Sequence, residues 1–307
     1  MTTALVFPGQ GSQRVGMGRD LAIRFPLAKE TYAEADAAVG FALSALCWDG
    51  PEDDLTLTAN TQPAILATSI AVFRVLQAEK GLAFDAVAGH SLGEWTALCA
   101  AGAIGFADAV RLTNLRGKFM QEAVAVGLGS MAALMGLELD AVKGLCAEAS
   151  APGEPCEPAN LNGGGQIVIS GATAAIDRAV AMAKGKGAKR AVKLAVSAPF
   201  HCSMMKPAAD RLAAALADVT IARPSVPVYA NVTAAPTQDP DEIRALLVRQ
   251  VTSPVRWEES IAAMHAAGVT RAFELGAGSV LKGLVKRIAA IECTTIGEPH
   301  EVDAFTA

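Results

Sequence analysis

The sequence has no excess of positive charge. Its 26 Lys and Arg residues are outnumbered by 31 Asp and Glu residues, which gives a net charge of −5. Proteins that bind nucleic acid generally show a basic excess. We therefore expect no nucleic-acid partner, although a local basic patch is compatible with this net charge.

Long hydrophobic runs are also missing. The most apolar window, residues 123–137, is too short to span a bilayer and is interrupted by Gly127, Gly129 and Ser130. It fits the end of a helix followed by a buried strand. The first residues show no basic segment ahead of a long apolar run. We therefore expect no signal peptide and no association with a membrane.

Paired cysteine motifs are the third absence. The six cysteines form no C-x-x-C motif and no regular framework. Scattered thiols without a secretion signal are typical of the reducing cytosol. We therefore expect a cytoplasmic protein and no metal site.

The chain does have a globular composition, with 52% hydrophobic and 19% charged residues over 307 positions. Short apolar runs alternate with helical segments, which predicts an α/β fold with a mostly parallel sheet. Between residues 127 and 197 the order becomes β-α-β-β-α-β, the split, ferredoxin-like pattern. We predict a large α/β domain of residues 1–126 and 198–307, with a small ferredoxin-like subdomain of residues 127–197 inserted in it.

Several elements have clear boundary signals. Residues 26–39 and 139–149 are predicted helices. Residues 61–81 form a longer predicted helix, with Thr61 as its N-cap and Gly81 as its stop. Another helix is predicted near 202–218, and a strand at 226–231.

The segment Gly89-His90-Ser91-Leu92-Gly93 fits the G-x-S-x-G pattern. An apolar strand precedes it and a helical segment follows, which is the context of a nucleophile elbow. Ser91 is therefore a candidate nucleophile, and the backbone N–H of Leu92 is a candidate oxyanion donor. The alternative is a glycine-flanked turn with an inactive serine.

The base for this serine has to be found among four histidines. His90 is adjacent to Ser91, and neighbouring side chains on a tight turn point in different directions. His265 lies in an amphipathic helix and His300 near the end of the chain. His201 follows a strand end, where active-site groups of α/β sheets gather. His201 is the best base by elimination, and a histidine that only begins a helix is the alternative.

The glycine-rich segment at 8–18 is not a phosphate loop, because Met17 occupies the position of the required lysine. It is a tight turn that holds Gln10 near the sheet, where a side-chain amide suits an oxyanion site. Arg116 lies in a helix 25 residues after Ser91. Most helix arginines are solvated, but a guanidinium near the nucleophile would bind a carboxylate through two hydrogen bonds.

Six motifs occur in order: FPGQGSQ at 7–13, GHSLGE at 89–94, RGKFMQEA at 116–123, PFH at 199–201, QVTSPVRW at 250–257 and ELGAGSVLKGL at 274–284. Together they resemble the malonyl-CoA:acyl-carrier-protein transacylases of fatty acid synthesis and the acyltransferase domains of polyketide synthases. The resemblance implies an α/β-hydrolase-like large domain with a ferredoxin-like insert. It also implies two substrates, malonyl-CoA and an acyl carrier protein, a monomeric enzyme and no cofactor.

The resemblance also implies roles for individual residues. Ser91 would be the nucleophile and His201 its base, and Arg116 would bind the malonyl carboxylate. Gln10 and the Leu92 backbone would form the oxyanion site, and the backbone carbonyl of Gln250 would orient the histidine. Asn162 would be an amide near the active site. The bulky side chain of Phe200 would oppose an α-methyl group on the substrate.

Three other functions stay open from the residues alone. A polyketide acyltransferase would share these motifs, a serine hydrolase would share the elbow, and a non-catalytic docking module would need neither Ser91 nor His201. Because carrier proteins of this system are acidic, a basic surface is expected near the site. Its candidates, which would otherwise be a solvated face, are Lys184, Lys186, Lys189 and Arg190.

Overall fold

The chain folds around two separate β-sheets, and the computed structural model describes residues 2–196 and 198–306. The strands are β1 (Thr2–Phe7), β2 (Ala86–Gly89), β3 (Gly129–Met135), β4 (Cys156–Gly163), β5 (Gln166–Ala172), β6 (Arg190–Lys193), β7 (Val228–Tyr229), β8 (Pro236–Thr237), β9 (Val269–Leu275) and β10 (Glu292–Ile296).

The helices surround these strands and include one short 3-10 turn, Ser203–Met205. They are α1 (Arg19–Arg24), α2 (Pro26–Val39), α3 (Leu43–Asp49), α4 (Glu52–Thr56), α5 (Thr58–Lys80), α6 (Leu92–Ala100), α7 (Phe106–Glu122), α8 (Leu139–Ala149), α9 (Thr173–Ala183), α10 (Lys206–Ala217), α11 (Pro240–Gln250), α12 (Trp257–Ala266), α13 (Val280–Ile288) and α14 (Pro299–Ala304).

The larger sheet has six strands in the order β10-β9-β1-β2-β7-β8. Its pairs are parallel except for β7 with β8. Residues 4–7 of the central strand β1 are fully buried, as expected for a parallel strand covered by helices on both faces. The predicted α/β class with a mostly parallel sheet is confirmed.

The smaller sheet has four antiparallel strands in the order β4-β5-β3-β6. With α8 and α9 its elements run β-α-β-β-α-β along the chain, which is the predicted ferredoxin-like pattern. All of these elements lie within residues 127–197, whereas the exact domain limits stay a prediction. The last strand of the pattern, β6, ends at Lys193, four residues before the predicted end of the subdomain, and residue 197 itself lies outside the described residues.

The predicted helices at 26–39 and 139–149 have those limits in the structure. The long helix α5 was predicted to begin at Thr61, and this start is wrong. The helix begins at Thr58, and the fully buried Thr61 hydroxyl donates to the Leu55 carbonyl oxygen at 2.5 Å. Gly81 does end it, in the left-handed conformation with φ of 62°.

Other elements differ from their predicted lengths. The strand predicted at 226–231 is reduced to Val228–Tyr229. The helix predicted near 202–218 is divided into the 3-10 turn and α10. In the apolar window 123–137, α7 has already ended and β3 begins at Gly129. Within the residues that the structure describes, no helix is both long enough and apolar enough to cross a membrane.

The larger sheet brings three polar residues to one of its edges. Gln10 follows β1, Ser91 follows β2, and Asn231 follows β7. Because the carboxyl ends of parallel strands meet at one edge of a sheet, these three side chains are brought to the same edge.

Candidate active site

Ser91 occupies a sharp turn between β2 and α6, with φ of 52° and ψ of −104°. Two glycines make this turn possible. A Cβ at Gly89 would lie 1.9 Å from the Gly93 carbonyl carbon, and a Cβ at Gly93 would lie 2.0 Å from the Phe7 carbonyl oxygen. The turn is therefore the strand–turn–helix elbow that the G-x-S-x-G pattern predicts.

The imidazole of His201 lies directly against this serine. Ser91 Oγ and His201 Nε2 are 2.7 Å apart, and His201 Nδ1 is 2.8 Å from the backbone carbonyl oxygen of Gln250. A carbonyl oxygen only accepts hydrogen bonds, so Nδ1 carries the proton and Nε2 is free to accept the Ser91 hydroxyl. This is the arrangement of a nucleophile, a base and a group that orients the base.

Burial and the positive charge of Arg116 lower the pKa of His201 to about 3. Both effects disfavour the imidazolium ion. The side chain is 3% exposed. Near neutral pH His201 is therefore uncharged, which is the form that accepts a proton.

His90, although adjacent to Ser91, is turned away from its hydroxyl. His90 Nε2 is 2.8 Å from Asn162 Oδ1, and the ring lies 5.7 Å from that of Trp257 between centroids. Burial lowers the pKa of His90. These contacts suit the structural role expected for it, and they give Asn162 a defined partner at the edge of the site.

Arg116 is almost completely buried, with 1% of the residue exposed. Its Nη1 donates to Gln62 Oε1 at 2.6 Å, and its Nη2 reaches Gln250 Oε1 and Ser91 Oγ, each at 3.1 Å. Burial lowers its pKa to about 10, so the group remains a cation near neutral pH. Among the described residues no carboxylate lies within ion-pair distance of it, so its direct hydrogen-bond partners are neutral acceptors.

A cavity of about 130 Å³ opens beside these groups. Its walls combine Gln10, Gln62, His90, Ser91, Leu92, Arg116, Met120, Met131, Asn160, Leu194, Val196, Phe200 and His201. The predicted residues Gln250 and Asn162 are not in this wall. Gln250 accepts hydrogen bonds from Arg116 and His201 without lining the cavity. Asn162 lines an adjoining cavity of about 370 Å³, and the two cavities share Gln10, His90, Asn160 and Leu194.

Two hydrogen-bond donors lie in the same cavity as Ser91 and are chemically suited to an oxyanion. The N–H of Leu92 belongs to the first residue of α6 and has no intrahelical acceptor, whereas the N–H groups of Gly93 and Glu94 are bonded to the His90 and Ser91 carbonyls. Gln10 lines the same cavity, and its Nε2 is 3.3 Å from Thr58 Oγ1. The two groups predicted for an oxyanion site are therefore close to Ser91.

Three buried polar residues of the site were not predicted. Gln62 holds Arg116, as described above. Asn231 accepts from the Ser91 N–H through Oδ1 and donates to the Gly89 carbonyl, both at 2.7 Å. Glu94 Oε2 accepts from the Asn231 N–H and from Gln250 Nε2, both at 2.8 Å. Glu94 ends the motif GHSLGE, whereas the only sequence signal for Gln62 and Asn231 is a polar residue within an apolar helix or after a short strand.

The predicted basic surface residues are all exposed. One of them, Lys186, pairs with Glu148 at 2.5 Å. Over residues 2–196 and 198–306, no group of three or more His, Cys, Asp or Glu side chains is arranged to hold a metal ion.

Comparison with known proteins agrees with this geometry. The family model of the acyl transferase domain matches residues 4–296. The malonyl CoA-acyl carrier protein transacylase of Escherichia coli strain K12 is 50% identical over 302 residues, covering 98% of this chain and 97% of that protein. The acyl-carrier-protein-S-malonyltransferase of Bartonella henselae has a TM-score of 0.96 and 50% identity, covering 99% of this chain and 98% of that one.

A further solved structure is a malonyl-transacylase in complex with a holo type II PKS acyl-carrier protein. Its TM-score is 0.95 at 45% identity, with 99% of this chain and 98% of that chain covered. The family model and these relatives each span nearly the whole sequence. The chain therefore belongs to the acyl transferase domain family.

Proposed function

We propose that this enzyme transfers the malonyl group from malonyl-CoA to the phosphopantetheine thiol of an acyl carrier protein, and so supplies extension units for fatty acid synthesis. The observation that carries the proposal is the buried guanidinium of Arg116, 3.1 Å from the Ser91 hydroxyl and without a carboxylate partner among the described residues. A nucleophile beside a cation that has no direct counter-ion suits an acyl group that ends in a carboxylate.

In the first half-reaction Ser91 Oγ attacks the thioester carbonyl carbon while His201 Nε2 accepts its proton. The negative oxygen of the tetrahedral intermediate is stabilised by the Leu92 N–H and the Gln10 amide. The C–S bond then breaks, and His201 returns the proton to the sulfur of CoA. Malonyl-Ser91 remains, with its free carboxylate on Arg116.

In the second half-reaction the thiol of the carrier protein attacks the same ester carbonyl. His201 takes the thiol proton and gives it to Ser91 Oγ as the C–O bond breaks. Both thiols end the same phosphopantetheine chain, so one channel serves both substrates. The adjoining cavity of about 370 Å³ supports this role, because Asn160, Asn162 and Gln166 offer amides to the amides of that chain.

Selectivity for malonyl follows from the same site. An acetyl group has no carboxylate and would leave Arg116 with its neutral acceptors only. Phe200 lines the cavity, where its bulk would oppose an α-methyl substituent. The exposed Lys184, Lys189 and Arg190 are proposed to attract the acidic carrier protein.

The proposed steps are balanced without a metal or an organic cofactor. We infer that the enzyme acts as a monomer in the cytoplasm, and its six free cysteines support a reducing compartment. Light scattering tests the monomer, and a loading rate that is unchanged after treatment with a chelator tests the absence of a metal.

Intact-mass measurement after addition of malonyl-CoA, and again after addition of holo acyl carrier protein, tests the function. We expect a malonyl adduct that is missing in Ser91→Ala and that moves to the carrier protein. An adduct lost to water at the same rate with or without carrier would indicate a hydrolase. Absence of any adduct would indicate a non-catalytic module.

A further inference from the structure

Glu94 is the one acidic group among the described residues whose charge acts on Arg116. It lies in the first turn of α6, three positions after Ser91, and is 2% exposed. It does not line the cavity that holds Ser91 and Arg116. Burial raises its pKa to about 7, against the lowering effect of its two hydrogen bonds and of Arg116.

The carboxylate of Glu94 contacts two residues that hold the rest of the site. One is Asn231, whose side chain bonds both the Ser91 N–H and the Gly89 carbonyl on either side of the elbow turn. The other is Gln250, whose Nε2 donates to Glu94 Oε2 at 2.8 Å and to the Ser91 carbonyl at 3.0 Å.

Gln250 connects Glu94 to the reacting groups. Its side-chain Oε1 accepts from Arg116 Nη2, and its backbone carbonyl accepts from His201 Nδ1. The amide has only one suitable orientation, because Arg116 offers only donors and Glu94 offers only acceptors when ionised. Reversing the amide would direct its N–H groups at the guanidinium and its oxygen at the carboxylate.

We propose that Glu94 is a positioning residue for the transfer reaction: it sets the orientation of the Gln250 amide and holds Asn231, and thereby fixes Arg116 and Ser91 relative to each other without touching the substrate. The inference rests on the proposed function. It also explains why Arg116 can be buried without an ion pair: Glu94 compensates the charge from a distance and leaves the guanidinium open to the malonyl carboxylate.

The test measures, above pH 7, the rate of acyl loading and the ratio of malonyl-enzyme to acetyl-enzyme when both CoA esters compete. Glu94→Ala should lower the malonyl loading rate on the order of 10- to 100-fold, the range for a lost hydrogen bond to a charged group. The malonyl-to-acetyl ratio should fall with it, because Arg116 loses its fixed acceptor.

Two further variants separate positioning from folding. Glu94→Gln keeps a carbonyl oxygen for both donors but loses the charge, so its rate should lie between those of Glu94→Ala and the wild type, within about tenfold of the wild type. Glu94→Asp keeps the charge but is one methylene shorter, so it should behave like Glu94→Ala. Leu98→Val, which truncates a fully buried side chain on the same helix, should leave the ratio unchanged.

The proposal is overturned if Glu94→Ala or Glu94→Asp loads like the wild type, if the rate falls while the ratio stays constant, or if Glu94→Gln is as slow as Glu94→Ala. Should Glu94→Ala not fold, the comparison of Glu94→Asp with Glu94→Gln decides. Failure of the proposed function itself is distinguishable, because then the wild type would form no malonyl adduct.

Discussion

Replacing Arg116 by alanine removes the one cation, among the residues that the structure describes, that contacts the proposed nucleophile. Arg116 is 1% exposed and reaches Gln62, Gln250 and Ser91 through its two Nη atoms. In the loaded enzyme it would form a buried, charge-assisted pair with the malonyl carboxylate. The substitution leaves that carboxylate in the cavity without a counter-charge, whereas an acetyl group is not affected in this way.

The magnitude follows from the burial of the pair. Truncating one partner of a buried, hydrogen-bonded charge pair costs about 2–5 kcal/mol, which corresponds to a fall of about 30- to 4,000-fold in kcat/KM for malonyl-CoA. Loading of acetyl should stay level or rise. Arg116→Lys keeps the charge but loses the planar fork, so its malonyl-to-acetyl ratio should lie between those of the wild type and Arg116→Ala.

The assay is a rapid-quench competition between malonyl-CoA and acetyl-CoA, with both acyl-enzymes quantified by intact mass. Arg111→Ala is the matched control, because Arg111 lies on the same helix but is exposed and pairs with Asp108 at 2.9 Å. Surface pairs contribute about 0–1 kcal/mol, so this variant should resemble the wild type. An unchanged malonyl-to-acetyl ratio in a folded Arg116→Ala protein would refute the assignment of Arg116 as the carboxylate ligand.

Three other predictions concern the serine and its base. Ser91→Ala should form no acyl-enzyme with malonyl-CoA, and a retained adduct in the intact-mass spectrum would exclude Ser91 as the nucleophile. His90→Ala should slow loading far less than His201→Ala, since of these two histidines only His201 contacts Ser91 Oγ; the reverse order of rapid-quench rates would overturn this choice of base. In the unfolded chain His201 has its ordinary pKa of 6.5, whereas in the folded protein its pKa is about 3. Between these two pH values the unfolded chain therefore binds a proton that the folded protein does not. Its contribution to stability is therefore present above pH 6.5 and lost as the pH falls towards 3. The free energy of unfolding should accordingly fall more steeply in the wild type than in His201→Ala over this range, and equal slopes in stepped-pH denaturation would contradict the low pKa.

Local patterns predicted the elements whose limits depend on nearby residues. Helix α2 begins with Pro26 and ends before Gly40, and the glycine has φ of 80°, as a helix stop requires. Helices α1, α3 and α4 were missed because each is seven residues or shorter, too short to show a helical period. Thr61 was wrongly predicted as the N-cap of α5, because the sequence does not show that the helix begins three residues earlier. In the structure the Thr61 hydroxyl donates to the Leu55 carbonyl oxygen, which precedes the helix, instead of capping it.

The sequence motifs indicated three residues that the structure brings together in the candidate site, but not the residues that hold them. Ser91, His201 and Arg116 carry chemistry that their local motifs indicate. Glu94 and Asn231 act only through contacts between distant parts of the chain: the Asn231 side chain meets the Ser91 N–H across 140 positions. Such pairings depend on the order of strands in the sheet, which no local pattern contains.

The backbone conformation of Ser91 sets selection for stability against selection for acyl transfer. Its φ of 52° with ψ of −104° is sterically unfavourable for any residue with a Cβ, and such conformations cost about 1–3 kcal/mol. Glycine would adopt this turn without that cost. The greater freedom of glycine in the unfolded chain would cancel only about 0.5–1 kcal/mol of this gain in stability. Selection for thermal resistance alone would therefore favour Ser91→Gly, which lacks the proposed nucleophile, and we expect the serine to persist only where transfer itself is under selection.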